Sequence, residues 1–235
     1  MPRVSQQYKD QQRAEILDAA RRCFVRNGFH RTSMQDVFTE AGRSAGAVYQ
    51  YFPSKDDMIL AVASQNLADV TEALRSALRS ADGDAEPGQA MATLLDEVTS
   101  RHAHDQLATV ALMVWSEALR NPALADRLRE ASTAMTRDLA DLVRKHQAAG
   151  ELPGAHADAL ARVILSILPG YLLNLALLDP SGLDTFPDTL RTLWPSGPKA
   201  GEDPPTDDDP ATIRKQLREA RRAVAARRDN PAQPT

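Results

Sequence analysis

Residues 33–52, SMQDVFTEAGRSAGAVYQYF, contain two short helical patterns joined by a glycine turn. The first pattern covers residues 34–41, and Gly42 stops it. The second covers residues 45–51 and ends at Phe52, because a residue that precedes proline avoids the α region. A serine stands directly before each pattern, where its side chain can cap the first free N–H groups. This stretch therefore predicts a helix-turn-helix unit.

The second helix of this unit begins with small residues and ends with polar side chains. Small residues let the backbone approach a duplex closely in the major groove. Hydroxyl and amide groups can contact bases and backbone, and the N-termini of helices hold phosphates. The residues concerned are Ala45, Gly46 and Ala47, then Tyr49, Gln50 and Tyr51, and finally Ser33, Ser44 and Lys55 at helix N-termini. The pattern therefore favours contact with double-stranded DNA.

Helical spacing of apolar residues continues along most of the chain, and no alternating strand pattern bounded by turns appears. A first helix is predicted over residues 11–27, with Gly28 as its C-cap. Further helices are predicted from Lys55 into the high 70s and over residues 89–102, 106–120, 123–148, 157–178 and 183–193. Short connections between long helices indicate a packed bundle. The predicted fold class is all-α.

The charge of the chain is divided unevenly. The 235 residues, 43% of them apolar, carry a formal net charge of -4, which alone argues against a basic DNA-binding protein. Residues 1–55, however, hold nine Lys or Arg against five Asp or Glu, which leaves the rest of the chain acidic. A basic head on an acidic body is expected when one end faces phosphates.

The number of cysteines and the hydropathy of the chain indicate the cellular compartment in which the protein is expected. One cysteine cannot form an internal disulfide, and the start of the chain lacks the pattern of a signal peptide. The apolar stretches 163–168 and 171–178 are each far shorter than the roughly 20 residues of a membrane helix. We therefore expect a cytoplasmic protein without a membrane span.

Residues 195–235 differ in composition from the rest of the chain. Residues 195–210 consist mainly of Pro, Gly and Asp, which predicts a disordered linker, and residues 210–235 carry a net charge of +5. The basic segment 213–228 is interpreted as a solvated or partly disordered tail. Non-specific contact with DNA phosphates is the alternative.

The stretch AEILDAARRCFVRNGFHRTSMQDVFTEAGRSAGAVYQYFPSKDDMI resembles the N-terminal domain of the TetR family of bacterial transcriptional repressors. The resemblance covers residues 13–60, about a quarter of the chain. Its most specific elements are ILDAA, NGF-x-x-T-S-M, the EAG turn and G-A-V-Y-x-Y-F-x-S-K, in this order and spacing. The resemblance implies a homodimer with a three-helix DNA-binding head and a larger α-helical body that binds a small molecule and the partner subunit. The corresponding domains are residues 1–55, 56–194 and, for linker and tail, 195–235.

The resemblance also implies roles for individual residues of the head. Positions that match phosphate contacts of the family are Thr32, Ser33, Ser44, Tyr49, Tyr51 and Lys55, and those that match base contacts are Ala45, Gly46, Ala47 and Gln50. This chain departs from the family in two respects. Ala45 stands where many members have lysine and Arg43 where an aliphatic residue is usual, so a phosphate contact by Arg43 is expected. Phe38 replaces a small residue and requires repacking against the next helix.

The body gives weaker expectations. The resemblance suggests that residues 123–148 and 157–178 form a four-helix interface with the partner subunit, which sets two recognition helices about 34–36 Å apart. A ligand pocket is expected among the helices at 89–102 and 106–120 and the inner faces of the next two. Its predicted lining is Met91, Leu95, Leu112, Met113, Trp115, Ser116, Met135, Ile167 and Tyr171.

Several of these residues can also be interpreted as having only a structural role. Met91, Met113, Met135 and Trp115 can equally be core residues, since a pocket and a core give the same helical stripe. Pro169-Gly170 marks either a kink beside a ligand cavity or a break between two helices. Cys23 is interpreted as an inert core residue. No metal site is expected, because His102 and His104 point to different sides of a helix.

The residues of the head and the resemblance together predict a ligand-responsive transcriptional repressor. It is expected to bind a palindromic operator as a homodimer and to be released by a small apolar effector. An enzyme is disfavoured, because the sequence contains no phosphate-binding glycine loop, nucleophile elbow, H-E-x-x-H motif or metal-ligand spacing. No cofactor is expected. An architectural protein that binds duplex DNA without sequence preference remains the alternative.

Overall fold

The computed structural model describes residues 6–79, 86–152, 154, 156–178 and 181–193. These residues form α-helices with one 3₁₀ turn, Leu183–Thr185, and no strand. The helices are α1 Gln6–Arg31, α2 Met34–Ala41, α3 Ala45–Tyr49, α4 Lys55–Arg79, α5 Pro87–Asp105, α6 Leu107–Ala118, α7 Pro122–Ala148, α8 Ala157–Leu165, α9 Ile167–Ala176 and α10 Phe186–Leu193. The all-α prediction is confirmed, with an N-terminal helix-turn-helix followed by a larger helical body. The predicted linker and basic tail lie outside the described residues.

Helix α1 is longer than the predicted segment 11–27 at both ends. Its regular geometry breaks at Gly28, whose φ of 79° is a backbone conformation that side-chain-bearing residues rarely adopt. A further helical turn follows and reaches Arg31. The glycine therefore interrupts the helix where the sequence predicts its end, but it does not terminate the segment.

The predicted helix 157–178 is wrong as a single element, because it is divided at Ser166 into α8 and α9. Pro169, the third residue of α9, has no N–H to donate to the carbonyl of Leu165, and its ring crowds that carbonyl. The backbone N–H of Ser166 donates to the carbonyls of both Arg162 and Val163, at 3.0 and 3.2 Å, where α8 ends. The break thus falls three residues before the proline.

The segment Ala157–Ala176 meets the length and composition of a membrane span, with 20 residues and a mean hydropathy of 1.6. By this measure the expectation that no such segment exists is not met. The segment is nevertheless two helices, and Ala161, Ile164 and Leu172 pack into the core of the body. Core helices of soluble bundles share this composition, so we interpret α8 and α9 as part of the bundle.

Two hydrophobic clusters hold the helices together, and α4, α6 and α7 belong to both. The head cluster joins α1, α2 and α3 to Met58 and Val62 at the start of α4. The body cluster joins α5 to α10 with the later turns of α4, including Leu74. Helix α6 contributes Val110 and Val114 to the head cluster, while other residues of α6 pack into the body cluster. Leu124 at the start of α7 also lies in the head cluster, so the head is packed directly onto three helices of the body.

A buried arginine reinforces this junction. The Arg21 side chain on α1 is only 8% exposed, and it lies 3.1 Å from Asp105 at the end of α5 and 3.9 Å from Asp69 on α4. Arg101 on α5 also contacts Asp69, at 3.4 Å. A buried charge is tolerated only where it is paired, so this cluster fixes α1 relative to α4 and α5.

We predict that Arg21→Ala lowers the free energy of unfolding by about 3 kcal/mol, because it leaves Asp105 without its cation in a partly buried site. Urea unfolding followed by circular dichroism at fixed protein concentration measures the loss. Arg75→Ala is the matched control: Arg75 also joins two helices, by an ion pair of 2.9 Å to Asp138, but its side chain is 46% exposed. Its loss is expected to stay below about 1 kcal/mol. Equal losses for the two variants would contradict the account of the junction.

Candidate DNA-binding surface and ligand cavity

Side-chain caps define both ends of the helix-turn-helix. Ser33 and Asp36 form a reciprocal capping box at the start of α2, and hydrogen bonds from Ser33 lower the pKa of the Asp36 carboxyl. Gly42, with φ 62° and ψ 34°, ends α2 in the left-handed conformation. The Ser44 hydroxyl then accepts the Ala47 N–H at 3.3 Å at the start of α3. The three caps predicted for the helix-turn-helix, at Ser33, Gly42 and Ser44, are all formed.

Helix α3 presents its predicted DNA-facing residues to solvent. Ala45, Gly46, Tyr49 and Gln50 are exposed, whereas Val48 points into the head cluster. The helix ends at Tyr49, two residues earlier than predicted, and Gln50 forms its C-cap. One face of α3 is thus anchored in the core while the other is open to a partner such as a DNA groove.

Phe38 and Tyr49 form an aromatic contact across the turn. Their rings pack edge to face, with centroids 5.4 Å apart, and Phe38 is nearly buried. The large side chain at position 38 thus packs against a residue of α3, the helix that it was expected to contact. The contact limits the rotation of Tyr49, which is half exposed, so the phenol is held at the surface of α3.

An ion-pair clamp that the sequence analysis did not identify fixes α2 against α1. Arg22 and Arg26 contact the two carboxylate oxygens of Glu40 at 2.7 and 2.6 Å. Hydrogen bonds from the two guanidinium groups hold the pKa of Glu40 below its usual range. Two arginines four residues apart share a helix face, but this spacing alone does not identify their acidic partner.

Three of the predicted phosphate contacts are occupied within the protein. The Thr32 hydroxyl is buried and donates to the carbonyl of Gly28 at 2.8 Å. Lys55 donates to the carbonyls of His30 and Thr32 at 3.2 and 3.1 Å. Arg43 pairs with Glu15 at 2.7 Å. These residues connect α1, the turn and α4, and a phosphate would have to compete with these partners or share the donors.

The remaining predicted contacts are more accessible. Ser33 and Ser44 are exposed at the starts of α2 and α3, although each hydroxyl already serves as a cap. Tyr51 is half buried and packs against the head cluster. Ala47, also predicted to face DNA, is half buried, and Ala45, Gly46, Tyr49 and Gln50 are the most accessible residues of the predicted second helix.

The single cysteine lies in the core of the head, as the structural interpretation predicts. Cys23 is fully buried, and this burial raises the pKa of its thiol. The reactive thiolate form is therefore disfavoured. Among the described residues, no group of three or more His, Cys, Asp and Glu side chains is arranged to hold a metal ion.

The body contains an apolar cavity of about 490 Å³ between α4, α6, α7, α8 and α9. Pockets of this size hold small organic ligands. The lining residues are Asn66, Leu67, Val70, Ala111, Trp115, Leu128, Ser132, Met135, Thr136, Arg162, Leu165, Ser166, Leu168, Pro169 and Leu172. Pro169 therefore lies beside the cavity, as expected if Pro169-Gly170 marks a kink next to a ligand site. The helix is, however, divided at Ser166 and not only kinked.

Only two of the nine predicted pocket residues, Trp115 and Met135, lie on the wall of this cavity. The other seven lie elsewhere. Met91, Leu95 and Tyr171 are buried in the body cluster, and Ile167 packs against it. Met113 packs against the head cluster, Leu112 is half buried and Ser116 is exposed. The cavity lies nearer to α4 and α7 than expected. Helical periodicity identified inward-facing positions, but it could not show where packing leaves space.

Comparison with known proteins identifies the family. Residues 16–62 match the sequence model of bacterial regulatory proteins of the tetR family, and residues 87–193 match that of the C-terminal part of BetI-type transcriptional repressors. YfiR of Bacillus subtilis, an uncharacterised helix-turn-helix-type transcriptional regulator, is 31% identical over 189 residues, which cover 78% of this chain and 89% of that protein. The chain therefore belongs to the tetR family and is a helix-turn-helix transcriptional regulator.

Solved structures share the fold. FadR of Bacillus subtilis, in complex with stearoyl-CoA, has a TM-score of 0.64 at 19% identity, covering 79% of this chain and 99% of that one. A transcriptional regulator of Saccharomonospora viridis, described as putative and in complex with choline, has a TM-score of 0.64 at 24% identity, covering 78% and 95%. The two bound molecules differ in charge and size, so the shared fold does not determine the ligand.

We predict that Gln50→Ala relaxes base preference at one position of each half-site, by about 1–3 kcal/mol, because an amide can pair with adenine through two hydrogen bonds. Sequences selected from a random duplex library by the variant and the parent protein measure this. Gln89→Ala, which removes an exposed glutamine from α5, is the control and is expected to select the parental site. If Gln50→Ala selects that site as well, Gln50 does not read a base.

Proposed function

We propose that this regulator is a repressor that binds a palindromic operator as a homodimer and is released by a small, largely apolar effector. The observation that carries the proposal is the placement of α4 and α6, which anchor the DNA-binding head and also line the cavity. A ligand in the cavity therefore touches the helices on which the head is packed.

Recognition of DNA rests on the exposed face of α3. Its first residues are small, so the helix can enter a major groove closely, and Tyr49 and Gln50 follow as potential hydrogen-bonding groups. Residues 1–55 are the proposed DNA-binding domain and residues 56–194 the ligand-binding and dimerisation domain. Helix α4 begins at this boundary, and its first turns pack into the head cluster while its later turns pack into the body cluster, so the two domains share this helix.

The second proposed element is a homodimer formed through α8, α9 and α10. Most large apolar side chains that are exposed in the described part of the chain lie here: Val163, Leu173, Leu177, Leu178, Phe186 and Leu193. A concentration of exposed apolar residues marks an interaction surface, and a two-fold dimer buries the same patch on both subunits. Helix α7 was expected to share the interface, but its exposed side chains are mainly polar. We therefore place the interface at α8, α9 and α10.

Release of the operator would follow from movement of α6. Ala111 and Trp115 face the cavity, whereas Val110 and Val114 pack into the head cluster. Asn66 on α4 lines the cavity and donates to the carbonyl of Leu107, at the start of α6, at 3.0 Å. A ligand that binds one arrangement of these helices more tightly shifts the head toward that arrangement, by the difference between its two affinities.

The cellular setting follows from the family. A regulator that acts on operator DNA works where the bacterial chromosome is, so we infer a cytoplasmic protein. Its single cysteine agrees with a reducing compartment.

Selection of bound sequences from a random duplex library tests the proposed repressor directly. We expect a palindromic site whose half-sites are about 34–36 Å apart, and a preference over random duplex of about 10³-fold or more. An architectural protein would enrich no sequence and would be displaced equally well by random duplex. That outcome would refute the repressor and support the alternative.

We predict that Val163→Glu and Leu177→Glu convert the dimer to a monomer, because each places like charges opposite each other near the two-fold axis. Sedimentation equilibrium at fixed protein concentration measures the molar mass. Leu119→Glu is the control, since Leu119 is 85% exposed but lies beyond the end of α6, outside the proposed interface. If all three variants stay dimeric, or if Leu119→Glu alone dissociates, the interface lies elsewhere.

A further inference from the structure

Arg162 gives the cavity a single charge. The other fourteen lining residues are apolar or neutral, so Arg162 is the one charged side chain on the wall among the residues that the structure describes. Its guanidinium forms no ion pair within the described ranges. A cation without a protein partner beside an apolar space is a natural site for an anion.

Three of the neutral polar side chains of the wall are already engaged. The Thr136 hydroxyl donates to the carbonyl of Ser132 at 2.8 Å, and the Ser166 hydroxyl donates to that of Arg162 at 2.7 Å. Asn66 uses its amide N–H on Leu107. The Ser132 hydroxyl and the Trp115 indole N–H are further neutral donors, so the guanidinium of Arg162 is the one charged donor that the wall offers to a ligand.

Arg162 also lies where the cavity meets a polar groove. It belongs to the walls of both, together with Leu128, Ser132 and Thr136. The charged residues of the groove are Arg129, Arg137, Asp158 and Arg162, so cations outnumber carboxylates. Asp158 pairs with Arg144 at 3.4 Å and Arg129 pairs with Asp126, so Arg137 and Arg162 are the charges of the groove that have no ion-pair partner among the described residues. The mouth of the cavity is therefore positive and its interior apolar.

We propose that the effector is an anionic amphipath, whose carboxylate or similar head group pairs with Arg162 at the mouth while its apolar chain fills the cavity. This inference rests on the proposed function and specifies its ligand. A cationic ligand fits less well, because recognition of a quaternary ammonium requires carboxylates or several aromatic faces. The wall has neither among its described residues, since Trp115 is its only aromatic side chain.

Matched pairs of ligands test the head group. Octanoate, decanoate and dodecanoate are titrated into the full-length protein by calorimetry, below their micelle concentrations, beside octanol, decanol and dodecanol. At least one carboxylate is expected to bind about tenfold more tightly than its alcohol. The factor is modest because Arg162 is exposed, and solvent screens its charge.

Variants of Arg162 locate the effect. Arg162→Met is expected to weaken carboxylate binding about tenfold and to leave alcohol binding within about twofold, while Arg162→Lys retains most of the preference. Arg137→Met removes a neighbouring arginine that lines only the groove, so it is expected to weaken carboxylate binding by no more than about twofold and to leave alcohol binding unchanged.

Three results would overturn the proposal: no carboxylate that binds more tightly than its alcohol, a preference that survives Arg162→Met, or the absence of saturable binding across the carboxylate series. Operator binding by the same samples separates this failure from failure of the proposed function. If the operator is bound but the carboxylate preference is missing, only the charge of the effector is refuted. If no operator can be selected, the repressor itself is refuted.

Discussion

Packing of α6 into both hydrophobic clusters is the constraint on which the rest of the structure depends. Val110 and Val114 are buried against the head, and Ala111 and Trp115 lie on the cavity wall one position further along the helix. Because protein interiors are densely packed, a rigid helix cannot move at one of these faces without disturbing the other. Helix α6 therefore connects the cavity mechanically to the DNA-binding head, beside the longer helices α4 and α7.

The buried ion pairs at Arg21 give this connection a defined geometry. Packing of apolar side chains alone tolerates small sliding movements, whereas a guanidinium between two carboxylates favours particular distances. Asp105 ends α5, and the chain turns directly afterwards at Gln106, whose φ is 58°. The start of α6 is thus positioned by the same cluster that holds α1. Atoms Nε and Nη1 of Arg21 have no hydrogen-bond partner within the described residues, so the cluster is held by charge more than by directional bonds.

Local features of the fold could be predicted from the sequence, because they depend on neighbouring residues. The caps at Ser33, Gly42 and Ser44 follow from backbone hydrogen bonding within a few positions, and each is present. Helix α4 begins at Lys55 for the same reason. The division of 157–178 was harder to place, because Pro169 acts on a carbonyl four residues earlier.

The site depended on contacts between distant segments and was predicted less completely. The exposure of Gln50 and Tyr49 follows from the pattern of α3, but the pairing of Arg43 with Glu15 joins residues far apart in sequence. The cavity could not be located either: Met91 and Trp115 both face inward, yet only Trp115 borders a space. Periodicity shows which side of a helix is buried and does not show what it packs against.

The central claim, that α6 couples the cavity to the head, can be tested without any effector. With Trp194 replaced by phenylalanine, Trp115 is the remaining tryptophan, and its emission reports on the cavity wall. The account predicts that saturating operator duplex, selected from a random library, changes this emission, while random duplex at the same concentration and salt does not. Full occupancy of the operator, shown by anisotropy of labelled DNA, with unchanged Trp115 emission would contradict the coupling.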